Sequence, residues 1–123
     1  TSAMEFNQQD NNQNSVVSIE NSMVTLSHTT LSTPCFISPK YHTQTPNLTL
    51  DQLDKMVLFP LSSKDDIDLL IIGTGKHSQF LTPQQQIALQ QMNIGVESMP
   101  SESACRSFNL LLSDARLVGL LLL

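Results

Sequence analysis

The stretch Ile67-Asp68-Leu69-Leu70-Ile71-Ile72-Gly73-Thr74-Gly75 decides the fold. An almost unbroken apolar run ended by glycine is the pattern of a strand buried on both faces, as in a parallel sheet covered by helices. Downstream, Thr82-Pro83-Gln84-Gln85 carries three agreeing helix-start signals. Thr82 caps, Pro83 suits the first helical position, and Gln85 completes a capping box. Ala88, Leu89 and Met92 supply its apolar face, and Asn93 suits a left-handed end. A short strand is expected over Ile94–Ser98. Pro100-Ser101 opens a second helix, with Ala104, Cys105, Phe108, Leu111 and Leu112 on one face. Glu102, Arg106, Asn109 and Ser113 form the opposite stripe. Arg116–Leu123 is a final apolar strand. This strand-helix-strand-helix-strand order predicts parallel pairing through right-handed crossovers.

Upstream the pattern changes to short, β-branched segments. Val16, Val17 and Ile19 precede a turn at Asn21-Ser22, and Met23, Val24 and Leu26 follow. Leu31–Ile37, with Cys35, Phe36 and Ile37, continues the β pattern, and Pro34 and Pro39 bound its last strand. Two or three antiparallel strands result. Ser38–Asn47, with Pro39 and Pro46, reads as a loop. Leu50–Phe59 reads as a short helix capped by Thr49, with Leu50, Leu53, Met56 and Val57 inward. Thr1–Asn14 includes Gln8, Gln9, Asp10, Asn11, Asn12, Gln13 and Asn14, too polar to offset the entropy of ordering it. It is read as a disordered tail, leaving one α/β domain over residues 15–123.

Charge narrows the partners. The chain's net charge is −5, and its six Lys and Arg are scattered. Phosphate-backbone binding needs clustered cations, so nucleic acid is not expected, nor is an acidic membrane surface. No apolar run approaches the roughly 20 residues that span a bilayer. No basic segment precedes an apolar one at the start, so no signal peptide is read. Cys35 and Cys105 share no metal-ligand or disulfide spacing. A cytoplasmic protein is the expectation, or a mitochondrial one if a targeting segment is missing. No cofactor and no metal are expected.

The motifs favour structure over chemistry. Gly73-Thr74-Gly75-Lys76 resembles a phosphate loop but has Leu70 where the first glycine of such a loop stands, and His77 where Ser or Thr follows the lysine. A dinucleotide fingerprint would need glycine at Ser78. The run reads as a tight turn. Cys105, placed in the first helical turn beside Arg106, has two features that favour thiolate. It also lies on the apolar stripe, which favours a packed thiol. A Cys105–His77 pair has no visible third member. Asp65-Asp66-Asp68 reads as a solvated turn rather than a metal loop. Glu97 is an acid inside a short strand, read as an edge cap or a partner of Arg106 or Arg116. His28 and His42 stand alone. No residue is assigned a catalytic role.

Ligands of open α/β sheets gather at the carboxyl ends of the strands. That rim is Gly73 to Ser78 (Gly73, Thr74, Gly75, Lys76 and His77 among them) plus Met99 to Ser103, Ser101 included, with Arg106 beside it, and it adjoins a candidate recognition surface, the helix stripe Glu102, Arg106 and Asn109. Its backbone N–H groups and cations would suit a small anion. Its polar stripe would suit a protein.

Leu69–Lys76, the Pro-started helix, Gly95-Val96-Glu97-Ser98-Met99, Ala104 with Phe108-Asn109, and Arg116 together resemble a widespread family of small domains of unknown function. Its members include the mitochondrial complex I assembly factor 3 and the adipogenesis-associated domain protein, with bacterial and archaeal homologues. The resemblance runs over Ser15–Leu123. It implies a three-layer α/β fold: a central mixed sheet, the βαβαβ half, and added antiparallel β structure from the amino-terminal half. It implies no reaction. The family pattern usually has Thr at Ser101 and a hydroxylated aromatic at Phe108. The function expected is a non-enzymatic protein-binding or complex-assembly helper. The alternative is a small-molecule or anion-binding protein or enzyme using Gly73–His77 and Ser101. A homodimer through the apolar carboxyl-terminal strand is also open.

Overall fold

The computed structural model describes residues 4–5 and 13–123. Among the described residues, nine strands form two sheets and three α-helices pack with them. The first sheet comprises β1 (Met4–Glu5), β2 (Val16–Glu20), β3 (Met23–Leu26) and β4 (Thr30–Ser32), antiparallel and in sequence order. β5 (Cys35–Ile37) and β6 (His42–Gln44) join the second sheet. A 3-10 turn (Leu50–Gln52) and α1 (Lys55–Ser62) follow, then β7 (Leu69–Gly73), α2 (Pro83–Gln91), β8 (Gly95–Met99), α3 (Ser101–Ser113) and β9 (Val118–Leu122). The second sheet has the order β6-β5-β9-β7-β8. It is parallel across β9, β7 and β8 and antiparallel across β6, β5 and β9.

Alternation along the central strands divides the core. Ile71, Leu120, Leu122, Cys35 and Ile37 point to the side of α3, where they meet Ala104, Cys105, Phe108 and Leu112. Val16, Val24, Leu26 and Leu31 of the first sheet close this layer. Leu70, Ile72, Leu121 and Phe36 point the other way, against Leu53, Leu58, Leu61 and Leu89. Full burial on both faces is why β7 and β9 read as continuous apolar runs. The three layers are as the resemblance implies, and the βαβαβ half is as the residue pattern reads. The chain steps from β7 to its neighbour β8 through α2, then back over β7 to β9 through α3 on the opposite face.

Four readings change. Leu31–Ile37 is two strands in different sheets, because Pro34 has no N–H for a ladder and the chain turns there. The loop over Ser38–Asn47 contains β6, paired to β5 through Ile37 and His42. The helix over Leu50–Phe59 is broken. Asp54 accepts a hydrogen bond from the Val57 N–H at 2.9 Å and starts a new helix, which rotates Met56 outward (84% exposed) and buries Leu58 and Leu61. Asn14, assigned to the tail, is buried, its amide donating to the carbonyls of Ser38 and Tyr41 at 3.1 Å each. Most of that tail lies outside the described residues. Elsewhere, His28 and His42 meet with ring centroids 5.4 Å apart. Asn93 is left-handed at φ 61°, ending α2 as its sequence suggests.

Candidate functional site

The rim forms because β7 ends in a turn that only small residues can make. A Cβ on Gly73 would sit 2.6 Å from Leu122 Cδ2 and 3.1 Å from Ser101 Cα. Gly75 has φ +78°, in the left-handed region glycine tolerates. Between them, Thr74 Oγ1 donates to the His77 carbonyl at 2.6 Å, and the Thr74 N–H donates to the Met99 carbonyl at 3.0 Å. Gly75 and Ser101 clasp each other. The Gly75 N–H donates to Ser101 Oγ, and the Ser101 N–H donates to the Gly75 carbonyl, both at 2.8 Å. The start of α3 is thereby pinned to the end of β7.

The second wall comes from the amino-terminal half. Asn21 and Ser22 both have positive φ (51° and 63°), the signature of a two-residue hairpin turn whose twist matches its strands. Thr33 holds the hairpin tip, its N–H donating to the Ser22 carbonyl at 2.9 Å. Between this turn and the rim lies a groove of about 650 Å³. Ile19, Pro100 and Leu123 give it apolar surface, and Glu20, Lys76, Glu102 and Arg106 give it charge.

The structure thus brings Gly75, Lys76, Ser101, Glu102 and Arg106 of the expected rim to one groove. Gly73 lies beneath Ser101, and Thr74 is spent on its own turn. His77 is exposed and off the groove. Asn109 stands apart from its stripe. It is buried, accepting from the Val16 N–H at 2.8 Å through Oδ1 and donating to the Val16 carbonyl at 2.9 Å through Nδ2. It ties α3 to the first sheet. Ile19, Glu20, Asn21, Ser22 and Thr33 were not expected here. The Asn21-Ser22 turn was legible, but its distance of more than fifty residues from the rim hid the juxtaposition.

Cys105 is not in the first turn of α3, which begins at Ser101, and it has no exposed surface. Burial pushes its thiol up to about 12, and nearby Cys35 adds to the rise while Arg106 opposes it. Burial pushes Cys35 up to about 12 as well. Both thiols are packed core groups. Asp65 accepts from Ser38 Oγ at 2.6 Å and from the Lys40 N–H at 2.8 Å, so its carboxylate fastens the β5–β6 connection.

Residues 16–123 match the family described as a protein of unknown function (DUF498/DUF598). The chain belongs to this family. Among relatives, NADH dehydrogenase [ubiquinone] 1 alpha subcomplex assembly factor 3 of Mus musculus is 36% identical over 53 residues, covering 43% of this chain and 29% of the relative. An uncharacterised protein of Rhodobacter capsulatus is 39% identical over 57 residues, 46% of each chain. The matches thus span less than half of these relatives' lengths. A crystal structure of a Bordetella parapertussis protein superposes with a TM-score of 0.79 at 24% identity, over 90% of this chain and 95% of that one. It shares the fold of this DUF498/DUF598 chain. Among the described residues, no helix is long and apolar enough to cross a membrane.

Proposed function

We propose that this family member is a protein-binding module, a helper in complex assembly, that docks a partner in the groove between the Asn21-Ser22 turn and the start of α3. The observation that carries the reading is how the groove's polar groups are used. Two rim donors that would cradle an anion are spent within the rim, the Gly75 N–H on Ser101 Oγ and the Ser101 N–H on the Gly75 carbonyl. The charged groups lining the groove are two cations and two carboxylates, set beside apolar surface. Balanced charge around an apolar centre suits a polypeptide better than a phosphate, whose binding needs unspent donors of one sign. The mouse relative carries the name of an assembly factor, which supports the same reading.

The test is native co-purification with wild type and with a Lys76→Glu/Arg106→Glu double variant. Both side chains are exposed, so the variant is expected to keep its melting temperature and lose the partner. No reproducible partner with wild type would refute the reading. The runner-up, a small anion held by Lys76 and Arg106, predicts stabilisation by phosphate or carboxylates in a thermal-shift screen, abolished in Lys76→Ala.

A further inference from the structure

β8 is the outer strand of the central sheet and is paired with β7 alone. Its end bonds set the phase of its backbone. The Gly95 N–H donates to the Asp68 carbonyl at 2.9 Å, and the Met99 carbonyl accepts from the Thr74 N–H at 3.0 Å. Backbone groups alternate sides along a strand in a parallel ladder, so Gly95, Glu97 and Met99 are spent on β7. Val96 and Ser98 direct their N–H and C=O groups away from the sheet. Among the described residues no segment bonds to that side. Beside it lies a cleft of about 430 Å³ between α2 and β8, lined by Leu89, Ile94, Val96 and the 75% exposed ring of Phe80. An open edge with an apolar shoulder is a template for strand addition.

Charge selects the occupant. A second copy is the simplest candidate, pairing β8 with itself antiparallel about a two-fold axis. Val96 and Ser98 must then bond across the interface. Centring the pair on Val96 would bring Ile94 opposite Ser98, but the Ile94 N–H is already given to the Leu89 carbonyl at 3.1 Å. Centring it on Ser98 would call on Pro100, which has no N–H. Only the register with Glu97 opposite Glu97 uses all the free groups. That position is a non-hydrogen-bonded pair, where side chains approach most closely, and like charges there repel. Glu97 is exposed and projects on the α3 side, because Val96 packs on the α2 side and Met99 on the α3 side. It bars self-pairing and favours a cation.

We infer that the free edge of β8 docks an extended strand of a partner protein that carries Lys or Arg opposite Glu97 and an apolar side chain beside Val96 and Phe80. This rests on the protein-binding reading and names a second contact surface for it. The decisive probe is the protein itself with one charge reversed. Wild type alone and Glu97→Lys alone are expected to be monomers. An equimolar mixture places Lys opposite Glu in the allowed register and is expected to sediment as a one-to-one dimer, with severalfold slower amide exchange at Val96 and Ser98. Adding Val96→Pro to either partner removes an outward N–H without touching the β7 ladder, and should return the mixture to monomers. A mixture that stays monomeric at millimolar concentration with unchanged exchange overturns the inference, as does a wild-type dimer paired through β8. A co-purifying partner retained equally by wild type, Glu97→Lys and Val96→Pro overturns this dock and leaves the protein-binding reading standing.

Discussion

Replacing Asn109 with Ala tests the joint between the two halves of the protein. Asn109 makes both hydrogen bonds to Val16, and Val16 has no exposed surface. In Asn109→Ala the Val16 N–H and C=O stay buried with neither partner nor water. Each orphaned group costs about 1–3 kcal/mol, so the expected loss is about 2–5 kcal/mol after partial relaxation. For a domain of this size that lowers the melting temperature by roughly 8–20 °C. Urea denaturation measures the free energy, and amide exchange at Val16 locates it, since that amide loses its acceptor. Were Asn109 a solvated member of the α3 stripe, the substitution would fall within about 0.5 kcal/mol. A loss that small, with Val16 exchange unchanged, would refute the joint.

Other expectations follow from the same geometry. A Cβ on Gly119 would lie 2.9 Å from the buried Phe36 ring, whereas one on Gly95 meets nothing nearer than 3.5 Å. Gly119→Ala should therefore cost about 1–3 kcal/mol and Gly95→Ala little, as read by denaturation. Asp54→Ala removes the cap of α1 and should cost about 0.5–2 kcal/mol in the same assay. Cys35 and Cys105 should resist a thiol reagent in the folded state at neutral pH and react on unfolding. Their folded pKa values of about 12 lie above the ordinary 9.0. The unfolded chain thus releases thiol protons first, and stability is full below pH 9 and lost as pH rises from 9 towards 12. A Cys35→Ala/Cys105→Ala variant should show a flatter alkaline limb.

Much of the fold was legible where periodicity and caps are local. The buried runs of β7 and β9, the Thr82-Pro83 start of α2 and the apolar face of α3 each follow from a few neighbouring residues. The misreadings share a cause. The helix restarts at Lys55 because the Asp54 carboxylate accepts the Val57 N–H as a cap, and β6 exists only because the edge of β5 was open to it. Asn109 looked polar and exposed because its partner, Val16, lies 93 positions away.

The sequence by itself determined the order of elements, the parallel sheet and the Gly73–Lys76 rim, since apolar periodicity and glycine placement act over a few residues. Only the tertiary structure decided that the Asn21-Ser22 turn faces that rim, that Asn109 is a buried joint and that β8 is an open edge. Those depend on which distant backbone groups find partners, and hydrogen-bond satisfaction is settled across the whole packed chain rather than along any one segment.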